Sequence, residues 1–184
     1  MTEPRLLGLC GALRAASLNR KLMLEAARHF DGSFSEASLR LPLYDGDLED
    51  QGTPPEVLAL AGAIKAADAV VIACPEYNKA PPGVVKNALD WISRVPGRAF
   101  EGKPVAIISA TGGRAGGERA QYMLRWMLTP LRADALTWPE MLLGNADKEF
   151  GPDDRLTSAI YTKTLAELMA RLRAAAISAR ATSG

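Results

Sequence analysis

Gly11-Ala12-Leu13-Arg14-Ala15-Ala16-Ser17-Leu18-Asn19-Arg20 joins an apolar run, Leu6 to Cys10, to a segment of strong helix formers, Lys21 to Arg28. The unit is strand, loop, helix, with the loop at the carboxyl end of the strand. There the first N–H groups of the helix lack partners and the helix dipole favours negative charge. A phosphate is the natural occupant of such a place. Arg14 supplies a fixed charge, Ser17 a hydroxyl and Asn19 an amide donor, so the loop reads as a phosphate cradle. The plainer alternative is a βα turn with Ser17 as helix N-cap. Neither G-x-x-x-x-G-K-S/T nor G-x-G-x-x-G occurs here, which sets aside a P-loop NTPase and an ordinary dinucleotide fold.

Outward from the loop, the chain alternates. Glu36 to Leu41 is a strand candidate near a sheet edge, and a turn-rich acidic loop runs on to Gly52. Thr53-Pro54-Pro55-Glu56 predicts a helix start, with Thr53 as N-cap, Pro54 at the first helical position and Glu56 closing a capping box. Val57, Leu60, Ala61 and Ile64 follow at helical spacing, to an end near Ala67. Ala69 to Cys74 is continuously apolar and β-branched, the pattern of a strand buried on both faces. After Pro75-Glu76-Tyr77-Asn78 comes a helix whose apolar face carries Val84, Ala88, Trp91 and Ile92. Val105 to Ser109 is a second central strand, followed by a glycine-rich loop from Ala110 to Gly117 and a helix from Arg119 to Leu131. Ala135 to Trp138 is a short last strand. Pro152, with Asp153 and Asp154 in its first turn, opens a final helix striped by Leu165, Leu168, Met169 and Leu172.

This is an α/β pattern of five strands and five helices in one domain, 1–184, with a tail expected to fray after Ile177. Alternation with apolar central strands means a parallel sheet covered on both faces, a three-layer sandwich. The loops at 11–19, 75–82 and 109–117 follow strands one, three and four, which are neighbours in a 2-1-3-4-5 order. They converge on one crevice at the carboxyl end of the sheet, where ligands of such folds sit.

The formal charge of +1 over 184 residues gives no nucleic-acid footprint. No apolar run is long enough to span a bilayer. Met1-Thr2-Glu3-Pro4 shows no basic region followed by an apolar one, so no secretory signal is expected. Cys10 and Cys74 have no metal-ligand spacing and read as reduced, buried thiols of a cytoplasmic protein, with a disulfide between neighbouring strands as the alternative. No metal site is expected.

Three stretches together carry a resemblance. They are Gly11-x-Leu13-Arg14-x-x-Ser17-x-Asn19; Pro75-Glu76-Tyr77-Asn78 with Pro82-Gly83-x-x-Lys86-Asn87-Ala88-x-Asp90-Trp91; and Gly116-Gly117 with Arg119 and Leu124-Arg125. The chain resembles the NADPH-dependent FMN reductases, flavodoxin-like proteins that include quinone, chromate and azo-dye reductases. The resemblance implies a flavodoxin-like fold, non-covalent FMN, NADPH or NADH as hydride donor, and a homodimer or dimer of dimers. It implies phosphate contacts from the first loop, here Arg14, Ser17, Leu18 and Asn19, with Ala12 and Leu13 of the same loop also cofactor-binding. It implies isoalloxazine contacts from Pro75, Glu76, Tyr77 and Asn78, with more from Ser109, Ala110, Thr111 and Gly112. Many members carry serine at the position of Ala12 and a hydroxyl residue at that of Ala110, so two side-chain hydrogen bonds are lost here and main-chain N–H groups must serve.

The cofactor carries the hard chemistry in such proteins, and no acid–base residue is assigned. His29, the single histidine, falls at the end of the first helix, away from the loops. Lys86 and Asp90 stand four apart and pair on their own helix. The reading from another class is a flavodoxin-type electron carrier without pyridine-nucleotide activity; such carriers are acidic, and this chain is near neutral.

Overall fold

The computed structural model describes residues 3–182. Its central strands are the apolar runs. β1 (Arg5–Cys10), β3 (Ala69–Ala73) and β4 (Pro104–Ala110) are buried at every position except Arg5. Strands without polar alternation must be covered on both faces, and they are. One face packs on α1 (Leu18–Phe30) and α6 (Ala159–Thr182), through Leu22, Met23, Phe30, Leu165, Leu168, Met169 and Leu172. The other packs on α3 (Pro55–Ala66), α4 (Gly83–Arg94) and α5 (Glu118–Leu128), through Val57, Leu60, Ile64, Trp91, Ile92, Leu124 and Leu128. Each such fully buried large side chain contributes about 1.5–3 kcal/mol of apolar transfer.

The edge strand β2 (Ser33–Ala37) pairs with β1, and the order is β2-β1-β3-β4-β5, all parallel. The expected layers and strand order hold. The last strand differs. It is broken into β5 (Asp134–Ala135), beside Pro104 and Val105, and β6 (Met141–Leu143), beside Ile108 to Ala110. Pro139 lies in the gap, and a proline cannot donate to a ladder.

Several boundaries also move. β2 begins just after the left-handed cap of α1 at Asp31 and ends at Ala37, not Leu41. Leu39 is buried beyond the strand's end, and its hydrophobicity mimicked a strand position. The acidic loop holds a short helix, α2 (Gly46–Asp50), capped by the Asp45 side chain. No capping box forms at Thr53: α3 starts at Pro55 with Pro54 as cap, which has no side-chain acceptor to offer. In α4 the buried apolar face is Val85, Ala88, Leu89, Trp91 and Ile92, while Val84 is half-buried. α5 passes at Leu128 into a 3-10 turn, Thr129–Leu131, around Pro130.

The final helix opens at Ala159, not Pro152. Residues 149–158 instead form a strap in which Asp154 pairs with Lys21, Arg155 with the buried Glu25, and Phe150 bridges Leu156. The acidic residues thus serve a turn and a cation of α1 rather than a helix dipole. α6 continues through Thr182, past Ile177; Ser183 and Gly184, like Met1 and Thr2, lie outside the described residues. Among the described residues no helix is long and apolar enough to cross a membrane.

Candidate functional site

The first loop is shaped by a close approach. A Cβ at Gly11 would stand 2.8 Å from Val85 Cγ2 and 3.1 Å from Pro75 Cδ, so glycine lets the first loop lie against the second. Gly11 N–H donates to Ala73 O at 2.8 Å, which fixes the loop to β3. Ser17 caps α1, its Oγ accepting from Arg20 N–H at 3.3 Å. The N–H groups of Leu18 and Asn19, the first two of the helix, have no partner among the described residues. They face the carboxyl edge of the sheet with the positive end of the helix dipole. Arg14 is exposed and has no hydrogen-bond or ion-pair partner among the described residues. Ser17 is therefore the N-cap of α1, and beside it the loop presents two main-chain N–H groups and a guanidinium without partners among the described residues.

Asn19 does something the sequence did not show. It is buried at 4% exposure, and its amide is spent on the third loop: Nδ2 donates to Ala110 O at 2.7 Å, and Ala110 N–H donates to Oδ1 at 3.0 Å. The side chain clamps α1 to the end of β4, which leaves only its main-chain N–H for an anion.

The second loop turns tightly after β3. Tyr77 and Ala80 exchange hydrogen bonds, and Asn78 and Lys79 between them both have positive φ, 50° and 65°. Pro75 is buried, while Tyr77 is 53% exposed. The Glu76 carboxylate turns towards α5, accepting from Ala120 N–H at 3.3 Å with Arg119 3.8 Å away. It caps that helix and ties the second loop to the third.

The third loop leaves β4 and is held from behind. Ser109 is fully buried; its hydroxyl donates to Gly116 O at 2.5 Å and accepts from Gln121 Nε2 at 2.8 Å. Thr111 N–H donates to Leu143 O and Ala146 N–H to Thr111 O, so β6 and the turn after it support the loop. Gly116 has φ +65°, and a Cβ there would meet Leu142 backbone atoms at 2.5 Å. The requirement for glycine is both conformational and steric.

The three loops meet around one cavity of about 300 Å³. Its walls are Ala12, Arg14, Ser17, Leu18, Asn19, Pro75, Glu76, Tyr77, Ala110, Thr111 and Gly112. Leu13, Asn78 and Ser109 do not line it. Ser109 stands behind the loop, Asn78 forms the turn, and Leu13 O accepts from Arg40 Nη2 at 2.7 Å on the other side. The run after Gly83 has a supporting task. Asn87 and Trp91 both donate to Pro42 O at 2.9 Å, and Asn87 accepts from Tyr44 N–H, pinning residues 42–44 over α4. Lys86 and Asp90 pair within the helix at 2.5 Å.

Cys10 and Cys74 are free and belong to opposite faces of the sheet, so they do not pair. Burial pushes the Cys74 thiol up to about 12, with Cys10 and Glu76 adding to it, and burial likewise raises Cys10. Neither offers a thiolate near neutral pH. His29 faces Glu25 Oε1 at 3.5 Å at the far end of α1. No group of metal-binding side chains occurs among the described residues.

A parallel 2-1-3-4-5 sheet whose switch-point crevice ends in an unpaired helix N-terminus defines a flavodoxin-like fold. Residues 4–148 match the NADPH-dependent FMN reductase family. An NAD(P)H-dependent FMN reductase of Pseudomonas aeruginosa is 41% identical over 155 residues, covering 83% of this chain and 84% of that protein. A quinone reductase of Escherichia coli K12 is 40% identical over 149 residues, 78% of this chain and 79% of that one. The solved structure of FerB, a flavoenzyme NAD(P)H:(acceptor) oxidoreductase from Paracoccus denitrificans, superposes with a TM-score of 0.87 at 30% identity, covering 95% of this chain and 98% of that chain. The chain belongs to the NADPH-dependent FMN reductase family.

Proposed function

We propose that this chain acts as one FMN-binding domain that oxidises NAD(P)H and reduces a small quinone-type acceptor. The observation that carries the reading is the meeting of an unpaired helix N-terminus and Arg14 with the Pro75–Tyr77 and Ala110–Gly112 walls of one cavity. The residues fit the cofactor: Arg14 and the N–H groups of Leu18 and Asn19 suit a phosphate, and Pro75 and Tyr77 flank a slot for a flat ring. FMN supplies two-electron hydride chemistry when bound. The protein orients it. Glu76 on the cavity wall spends its carboxylate on Ala120 N–H, and among the described residues no histidine or cysteine lines the cavity. The slot is open beside the exposed Tyr77, which suits acceptors of varied shape, quinones first and chromate or azo compounds in the same class of test.

Anaerobic stopped-flow mixing of FMN-loaded protein with NADPH or NADH tests the reading. Bleaching of the flavin bands is expected, followed by reoxidation with a quinone. Protein that stays colourless in excess FMN, or a bound flavin that neither nucleotide reduces, overturns it. The same experiment separates a reductase from an electron carrier.

The active species in this reading is an assembly of identical chains. Tyr122, Met123 and Trp126 on α5 are 52%, 45% and 84% exposed, and Trp138 is 61% exposed. Arg125 reaches Glu140 at 3.8 Å, which sets the helix beside the Trp138 segment. An apolar face of this kind beside a cofactor cavity suits a second copy. Trp126→Glu is expected to lower the mass found by sedimentation from a dimer or tetramer towards a single chain. An unchanged mass assigns the interface elsewhere. The free, buried thiols suit a reducing compartment such as the cytoplasm.

A further inference from the structure

We propose that a second cavity, on the β2 side of the phosphate loop, takes the 2′-phosphate of NADPH and so sets the donor preference. The inference rests on the reading above and names a specificity site within it. The cavity is about 420 Å³ and shares Ala12 and Arg14 with the flavin slot. Leu13, Arg20, Glu36, Ser38 and Arg40 complete its polar and loop-side walls.

Its charges do not cancel. Arg20 is paired with Glu36 through contacts of 2.9, 3.0 and 2.7 Å. Arg40 donates to Leu13 O at 2.7 Å, a neutral acceptor that holds the guanidinium against the loop without compensating it. No carboxylate pairs with Arg40 or Arg14 among the described residues. Arg14 faces the flavin phosphate in the FMN-loaded protein, so Arg40 is the guanidinium left uncompensated in this concave site, a charge that draws an anion. Guanidinium groups match phosphate oxygens in a bidentate fashion. Ser38 Oγ accepts from Arg40 N–H at 3.1 Å, which leaves its proton to donate.

The position in the fold points to the same ligand. Ser38 and Arg40 follow directly on β2, whose end stands beside the β1–α1 phosphate loop. In Rossmann dinucleotide folds, a different doubly wound fold from this one, the residues at that place meet the adenosine ribose, and the same charge logic applies here: an acidic residue suits a free 2′-hydroxyl, and an arginine suits a 2′-phosphate. The acid at hand, Glu36, is already spent on Arg20. NADPH is also a longer molecule than FMN, so a nicotinamide at the flavin slot leaves an adenosine end to be held in an adjoining cavity, and this one adjoins the slot at Ala12 and Arg14.

Calorimetric titration of FMN-loaded protein with 2′,5′-ADP and with 5′-ADP tests this without turnover. The first is expected to bind roughly tenfold or more tightly. Arg40→Ala is expected to abolish that difference and to raise KM for NADPH by about the same factor, with KM for NADH and both kcat values unchanged. Arg40→Lys restores part of it. Ser38→Glu, which keeps the Arg40 side chain and places a carboxylate beside it, weakens 2′,5′-ADP and NADPH alone, and it decides the case if Arg40→Ala lowers FMN affinity through Leu13. Equal affinity for the two nucleotides in the wild-type protein, or an unchanged NADPH-to-NADH ratio in Ser38→Glu with FMN affinity intact, overturns the proposal. Failure of the flavin reading looks different: neither nucleotide then reduces the protein, whatever 2′,5′-ADP does.

Discussion

Asn19→Ala is expected to lower the stability of the chain by about 2–5 kcal/mol, read as a fall in the urea midpoint with the slope unchanged. The substitution removes a small side chain, yet it strands two main-chain groups. Ala110 N–H loses its acceptor at 3.0 Å and Ala110 O its donor at 2.7 Å, at a site only 3% exposed at Ala110 and 4% at Asn19. Each buried group left without a partner costs about 1–3 kcal/mol, more than the bond itself contributes. Asn19→Asp gives the sharper comparison. A carboxylate still accepts from Ala110 N–H, but its second oxygen now faces Ala110 O with no proton between them, so most of the loss remains near neutral pH. FMN affinity should fall in both variants, because Ala110 begins the loop that carries Thr111 and Gly112 into the cavity. A midpoint within a few tenths of a molar of the wild type in Asn19→Ala would show that water replaces the clamp.

Asn19 also marks where reading a sequence reaches its limit. Its place at the start of the helix after the first loop was legible, since the loop lies between an apolar run and a helix. Its task was not, because Ala110 lies 91 positions away and nothing local signals the pairing. Glu76 repeats the lesson: its carboxylate caps a helix 44 positions on. The central strands β1, β3 and β4 were readable for the opposite reason. They are buried on both faces, so an unbroken apolar run is the whole signal. β2 was misplaced because Leu39, buried past the strand's end, looked like part of it, and the last strand hid its break at Pro139. Convergence of the loops at 11–19, 75–82 and 109–117 followed from strand order alone. What closes them together, Gly11 against Pro75 and Gly116 against Leu142, is a matter of contacts the order does not state.

Arg14→Ala is expected to do the converse of Asn19→Ala, weakening FMN by roughly 10–100-fold while the urea midpoint of the FMN-free protein stays where it is. The guanidinium has no partner to strand among the described residues, so the folded chain loses nothing by its removal. The bound state loses one charge-assisted hydrogen bond to a dianion, worth about 1.5–3 kcal/mol, and each 1.4 kcal/mol is a factor of ten. Quenching of flavin fluorescence on titration measures it. Two further features separate this effect from a general loosening of the site. Arg14→Lys should recover part of the affinity, since a lysine keeps the charge but not the forked geometry. The penalty should also shrink as salt rises, because Arg14 is exposed and its attraction is screened over about 8–10 Å at moderate ionic strength. An FMN affinity left unchanged by Arg14→Ala would mean that the N–H groups of Leu18 and Asn19 hold the phosphate by themselves and that Arg14 belongs to the neighbouring cavity with Arg40. In that case Arg14→Ala should raise KM for NADPH and leave FMN in place, so one pair of titrations assigns the residue to one site or the other.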